Sequence, residues 1–148
     1  MKSFLRLTPG AVENGLITFR LALWVAGTER AHWPVNSGAR GAQALRTYRD
    51  PQSRPGNLEP IPEAEYGLGS IEWAGGAGNW STSWGPGLGP VWISIFDPGG
   101  GRGEFGIHLD ANRESSPGSA GCVVFATRAR METFLAAFAE FRPAELVV

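Results

Sequence analysis

The sequence is poor in the residues that several common chemistries require. Its 148 residues include one cysteine, Cys122, one lysine, Lys2, and only two histidines. A single cysteine excludes an internal disulfide, and one thiol with two imidazoles makes a conventional zinc site hard to assemble. A P-loop is excluded because no lysine follows a glycine-rich loop. We therefore expect neither a metal nor a cofactor.

The chain also lacks a charge imbalance and a long apolar run. Lys and Arg total 13 and Asp and Glu total 14, which gives no electrostatic case for binding nucleic acid or an anionic membrane. No apolar run reaches the roughly 18 residues that span a bilayer. Residues 1–10 lack the apolar stretch and cleavage site of a secretory signal. We expect synthesis in the cytoplasm and no integral membrane segment.

What is present favours a compact β-rich domain. Hydrophobic residues make up 43% of the chain, enough to fill a core, and 21 glycines and 11 prolines favour many turns. Strands are expected at 16–25, 32–35, 66–73, 91–96, 105–110, 123–125 and 146–148. A helix is expected from an N-cap at Thr127 to Pro143, with Met131, Phe134, Leu135, Phe138 and Phe141 on its apolar face. Residues 1–148 are therefore expected to form one mainly β (α+β) domain, a mixed-sheet sandwich or barrel with a C-terminal helix.

The most informative segments are 105–110 and 116–125, which place His108 and Cys122 14 positions apart. Two short strands can bring such residues side by side. The thiolate is the nucleophilic form of cysteine, and a nearby histidine can take the thiol proton and return it to a leaving amine. Gly118 and Gly121 permit a tight turn whose amides can face an oxyanion. The alternative is that Cys122 is a small buried apolar residue before a Val-Val-Phe strand.

An Ile-His pair followed by Ser-x-Gly-Cys resembles the YkuD family of L,D-transpeptidase catalytic domains. Two upstream segments, Trp33–Gly38 and Glu59–Leu68, are similar to the family's earlier strand and its Thr-Pro-x-Gly-x-(Tyr/Phe) segment. The resemblance covers roughly residues 16 to 126. It implies a YkuD-like fold in which Cys122 attacks a peptidoglycan stem peptide between an L-centre and a D-residue. It also implies that His108 is the general acid and base of a thioester mechanism.

The resemblance assigns roles to several neighbours of the pair. Ser119, Gly121 and the Cys122 amide would surround the oxyanion, and the main-chain carbonyl of Leu109 would orient the imidazole. Asp110 alternates with His108 along the strand and is a candidate substrate contact. The remaining candidate substrate-binding residues are Leu109, Arg113 and Tyr66.

The chain departs from the family pattern at three positions. The family commonly has Gly after the histidine, a bulky residue before Gly-Cys, and Arg two positions beyond the cysteine, where this chain has Leu109, Ala120 and Val124. The missing arginine is a cation expected to order the site or bind a substrate carboxylate. Arg113 and Arg128 are the candidate replacements.

Three other segments have open interpretations. The polar stretch from Ala39 to Asn57 is expected to be a long surface connection, either a binding element or a solvated loop. The tryptophan-rich stretch 75–90 is either a platform for sugars and stem peptides or a loop fixed to the core. Residues 101–106 read GxGxxG, but a strand follows them where a dinucleotide site requires a helix.

Two function classes follow from these observations. The first is a peptidoglycan-modifying cysteine enzyme, an L,D-transpeptidase if an amine accepts the acyl group, or a carboxypeptidase or endopeptidase if water does. Acting on the cell wall would require a lysis or delivery system, as for an endolysin-like enzyme or a delivered effector. The second is a non-catalytic peptidoglycan-binding or virion module with a degenerate YkuD-like site. In both, the expected partners are peptidoglycan stem peptides and not nucleic acid.

Overall fold

A computed structural model describes residues 2–13, 15–39, 59–96, 105–111, 113, 118–119 and 121–148. Within these ranges the chain forms eight strands and one helix: β1 (Ser3–Glu13), β2 (Leu16–Val25), β3 (Thr28–Val35), β4 (Glu65–Trp73), β5 (Val91–Phe96), β6 (Phe105–Leu109), β7 (Val123–Phe125), α1 (Arg128–Phe141) and β8 (Glu145–Val147). Residues 40–57 of the expected connection, residues 101–104 of the GxGxxG stretch, and Ser116, Pro117 and Ala120 lie outside the described residues.

The strands form one mixed sheet in the order β3-β2-β1-β8-β4-β5-β6-β7. Only the β1–β8 and β6–β7 pairs are parallel among those described. The two ends of the sheet approach each other beyond β3, where the Asn36 N–H donates to Val124 O at 2.9 Å and the Val124 N–H donates to Asn36 O at 2.8 Å. The prediction of a mainly β fold with a mixed sheet and a C-terminal helix is confirmed. In the described part of the chain the strands form a single curled sheet and no closed barrel.

The core lies between the curled sheet and α1. The helix buries Met131, Phe134, Leu135 and Phe138, as the apolar stripe predicts. The Phe134 ring meets Trp33 at 5.1 Å and Phe125 at 4.8 Å, which ties the helix to both ends of the sheet. Burial of each such side chain contributes about 1.5–3 kcal/mol.

The ends of α1 follow from local sequence. The Thr127 side chain accepts a hydrogen bond from the Arg130 N–H, so the predicted N-cap is confirmed. At the other end Arg142 adopts φ 47°, and Pro143 follows it. The helix therefore ends where the proline predicts.

No helix in the described part of the chain has both the length and the apolarity needed to cross a membrane.

Candidate functional site

The sheet presents two chemically different faces at β5, β6 and β7. Side chains such as Ile93, Ile107 and Val123 face the core. The residues that alternate with them are Trp92, His108 and Val124, which are register partners across the three strands. Because side chains alternate along a strand, these three share the opposite face. His108 therefore lies between Trp92 and Val124, away from the main core.

Strand alternation, continued one residue before β7, puts Cys122 on the same face as His108. Cys122 comes directly before β7 and two positions before Val124, the register partner of His108. A strand spacing of about 4.8 Å and a rise of about 3.3 Å per residue place the two Cα atoms about 8 Å apart, a gap that an imidazole and a thiol can span. Cys122 is partly exposed. The two principal candidate residues therefore belong to adjacent segments of the sheet.

The His108 ring has a defined tautomer. Its Nδ1 lies 2.8 Å from Leu109 O, and because a carbonyl oxygen can only accept, Nδ1 carries the hydrogen. Nε2 is then the unprotonated nitrogen. His108 is only 4% exposed, and this burial lowers its pKa, while the bond to Leu109 O acts in the opposite direction. The ring is therefore neutral at pH 7 and can act as a base.

Trp92 is a site residue that the sequence did not predict. Its ring stacks on His108 with centroids 5.5 Å apart and planes 16° apart, and its Nε1–H donates to Ser94 Oγ at 3.0 Å. The indole also covers Gly106, where an added Cβ would lie 2.3 Å from Trp92 Cζ2. A glycine inside a strand marks close approach of another group, so Gly106 was the available signal.

The turn before Cys122 is shaped by glycines and by Ser119. Gly118 and Gly121 have φ of 95° and 117°, and a Cβ on Gly118 would lie 2.4 Å from Gly38 O. Ser119 Oγ donates to Cys122 O at 2.5 Å and accepts from the Gly38 and Gly121 N–H groups at 3.2 and 3.3 Å. Ser119 and the Gly121 amide, both expected at the oxyanion, here bond within the turn and hold its shape.

Ser37 joins the three segments in which the resemblance was found. It is fully buried, its Oγ donates to Gly121 O at 2.9 Å, and the same oxygen accepts from the Ile61 N–H at 2.9 Å. Ser37 belongs to the Trp33–Gly38 segment and Ile61 to the Glu59–Leu68 segment. A single hydroxyl therefore connects both upstream segments to the cysteine-bearing turn.

Arg113 is connected through Asn36 to the position at which the family commonly has an arginine. That position is Val124, which forms a two-bond bridge with Asn36. Arg113 Nη1 donates to Asn36 Oδ1 at 2.7 Å and to Asp110 Oδ2 at 3.3 Å. The Arg113 side chain is 37% exposed, so its guanidinium is anchored and still accessible.

Asp110 is the buried anchor of this group. It is 4% exposed, and its Oδ2 accepts from the Gly118 N–H at 2.9 Å as well as from Arg113. Its Oδ1 is buried and has no hydrogen-bond partner among the described residues. Burial raises the pKa of Asp110, while the Gly118 bond and the charge of Arg113 lower it. Asp110 thus holds Arg113 and the turn in place.

Two candidate residues lie elsewhere. Arg128 is 4.7 Å from the Trp80 ring centroid, and its Nε donates to Glu132 at 2.5 Å. Tyr66 is 2% exposed, donates its hydroxyl hydrogen to Pro62 O at 2.7 Å and packs against Phe105 in the core. Neither side chain joins the face that carries His108, and burial leaves Tyr66 almost no surface for a substrate.

Among the described residues, no three His, Cys, Asp or Glu side chains are grouped closely enough to hold a metal ion. No family model, no curated protein and no solved structure matches this chain. Its function is therefore inferred from the site itself.

Proposed function

We propose that the chain has a YkuD-like fold and is a cysteine acyltransferase or peptidase acting on the L,D bonds of peptidoglycan stem peptides. The observation that carries the proposal is the hydrogen bond from His108 Nδ1–H to Leu109 O, on the face that also bears Cys122. It leaves Nε2 as the acceptor for a thiol proton. The junction at Ser37, where all three segments of the resemblance meet, supports the same assignment.

The first half of the reaction forms a thioester. The Cys122 thiol gives its proton to His108 Nε2, and the sulfur attacks the carbonyl carbon of the L-centre in the stem. The carbon–nitrogen bond to the D-residue then breaks. The imidazolium returns the proton to the departing amine, so the acyl group remains on sulfur and His108 is neutral again.

The second half restores the thiol. An acceptor attacks the thioester carbonyl and gives a proton to His108 Nε2, and that proton returns to the sulfur as the carbon–sulfur bond breaks. An amine acceptor yields a crosslink or an exchanged D-residue. Water yields a shortened or cleaved stem. The same two side chains serve both outcomes, so the acceptor alone decides between transferase and hydrolase.

Arg113 is assigned the carboxylate-binding role of the missing arginine, because Asn36 and Asp110 hold it and Asn36 connects it to Val124. Arg113→Ala is expected to raise KM about ten- to a hundredfold for stems with a free carboxylate, with kcat little changed, since a charged hydrogen bond is worth about 1.5–3 kcal/mol. Steady-state kinetics measure this split. Arg128→Ala is the matched control, and an equal effect of both variants would refute the assignment.

A carbapenem tests the nucleophile independently of the natural substrate. The β-lactam carbonyl should acylate the Cys122 sulfur. As in the first half-reaction, the sulfur attacks the carbonyl carbon and the carbon–nitrogen bond breaks, which here opens the ring. Intact mass and peptide mapping are expected to show one adduct on Cys122 and none in Cys122→Ala. An unmodified wild-type chain that also fails to process stems would contradict the enzyme assignment.

A non-catalytic wall-binding module is the second candidate. It is favoured by the Gly121 amide, which bonds to Ser119 within the turn instead of facing an oxyanion, and by the replacement of the family arginine with the fully buried Val124. This candidate predicts that wild type and Cys122→Ala sediment equally with sacculi and leave them unchanged. Cysteine-dependent product formation would eliminate it.

A further inference from the structure

A groove opens next to the Trp92 ring, on the side of β4 and the loop that connects β4 to β5. It has a volume of about 340 Å³ and is lined by Glu72, Trp84, Leu88 and Trp92. Glu72 and Trp92 are register partners on β4 and β5. The groove therefore continues the face that carries His108 and Cys122.

The loop side of the groove is held by its own hydrogen bonds. Trp84 N–H donates to Gly89 O at 2.9 Å, and its indole Nε1–H donates to Glu72 O at 3.4 Å. Leu88 N–H donates to Gly85 O at 3.1 Å. Trp84 nevertheless remains 47% exposed, which is unusual for a ring of this size. The structure thus presents an indole to a formed groove without burying it.

The lining has the composition of a site for a cation. Two indole rings offer π surface that attracts ammonium and guanidinium groups. Among the described residues that line the groove, Glu72 is the charged one, and its side chain is exposed. A carboxylate between indoles complements a positive ligand and opposes an anionic one. A neutral sugar ring would use the indoles but would gain less from the carboxylate.

We propose that the groove formed by Glu72, Trp84, Leu88 and Trp92 binds the side-chain ammonium group of an amino-bearing residue in a peptide substrate. Leu88 contacts the aliphatic part of that side chain, and Glu72 and the indoles contact its charge. Because Trp92 also stacks on His108 at 5.5 Å, the bound residue lies one ring away from the general base. The assignment of this bound residue to a peptidoglycan stem rests on the proposed function. The binding of an ammonium group by the groove does not.

The test uses two probes that differ only in the presence of a side-chain ammonium group. Nα-acetyl-L-lysine N-methylamide carries a single ammonium, and Nα-acetyl-L-norleucine N-methylamide has the same backbone and a similar aliphatic side chain without it. Titrations are followed by the indole N–H resonances of the ¹⁵N-labelled Cys122→Ala chain. The lysine probe is expected to shift Trp84 and Trp92 saturably, with an affinity about threefold to tenfold above that of the norleucine probe.

Two further variants assign the effect. Glu72→Gln is expected to remove the preference for the lysine probe, while Glu140→Gln, an exposed glutamate on α1, should leave it intact. The spectra themselves show whether each variant is folded. Equal binding of both probes, no effect of Glu72→Gln, or shifts caused only by a neutral chitooligosaccharide would overturn the proposal. If the lysine probe binds but the wild type does not process stems, the ammonium site stands and the enzyme assignment fails. If the wild type processes stems but the lysine probe does not bind, the enzyme assignment stands and the ammonium site fails.

Discussion

His108 is fixed from several sides at once. Leu109 O sets its tautomer, the Trp92 ring covers one face, and burial removes most of its contact with water. Burial favours the neutral ring, whereas the bond to Leu109 O acts on the pKa in the opposite direction. That bond leaves Nε2 as the nitrogen that can accept a proton. Under the proposed function, this arrangement prepares His108 as a base before a substrate binds.

The lowered pKa of His108 gives a directional pH prediction. The base works only in its neutral form, and the neutral fraction falls as pH drops through the pKa. Because burial moves that pKa below the ordinary 6.5, the half-point of the acidic limb of kcat/KM should lie below pH 6.5. His108→Gln should lose this limb, and its kcat/KM should fall by a factor of about 10²–10⁴. A half-point above 6.5, or an unchanged profile in His108→Gln, would argue against this role.

The contact between Trp92 and Gly106 gives a prediction about stability. Gly106→Ala places a methyl group into the indole, so the ring must move, at a cost of about 1–3 kcal/mol in the free energy of unfolding. In a Trp92→Ala background the same substitution should cost much less, because the obstructing ring is gone. Urea denaturation of the four proteins measures the coupling. Additive effects would show that the two residues do not contact.

At the scale of elements, the two shortest strands, β7 and β8, join the parts of the sheet that form the site. β8 has three residues, yet it pairs in parallel with β1 and antiparallel with β4. It therefore joins the three strands at the start of the chain to the four strands β4 to β7, which include those that carry the site. β7 is equally short and positions the cysteine turn beside β6.

Leu146 at the centre of β8 tests this connection. It is fully buried, so Leu146→Ala should lower the free energy of unfolding by about 2–5 kcal/mol through lost burial and a residual cavity. Val12→Ala, at a 66% exposed position of β1, should change it by less than about 0.5 kcal/mol. Urea unfolding compares them. Equal losses in both variants would contradict the assigned position of β8.

Local patterns predicted most elements, and the exceptions have identifiable causes. The helix cap, the apolar stripe and β5 follow from neighbouring residues alone. β1 was not predicted because Pro9 and Gly10 are typical of a turn that ends a strand. In the structure the strand continues past both residues, and its register with β2 shifts between Pro9 and Val12. The expected terminal strand is present as β8, but its insertion between β1 and β4 depends on pairing with distant segments. Periodicity carries no information about such partners.

At the scale of the whole molecule, the site arises where the two ends of the sheet meet. The bridge between Asn36 and Val124 and the Ser37 hydroxyl bring a segment near residue 36 to the cysteine turn. The spacing of His108 and Cys122 predicted two neighbouring short strands, and β6 and β7 do pair. Arg113 was a candidate, but its anchoring by Asn36 required knowledge of this closure. Trp92 was missed because its role depends on register across β5 and β6.

The central claim is that Cys122 performs acyl chemistry on peptidoglycan stems. The most direct measurement incubates the purified protein and its Cys122→Ala variant with intact sacculi and soluble tetrapeptide muropeptides, and resolves the products by mass. We predict loss of a terminal D-residue, stem cleavage or a new crosslink with the wild type and none with the variant. Unchanged substrates with both proteins, each still folded, would contradict the claim.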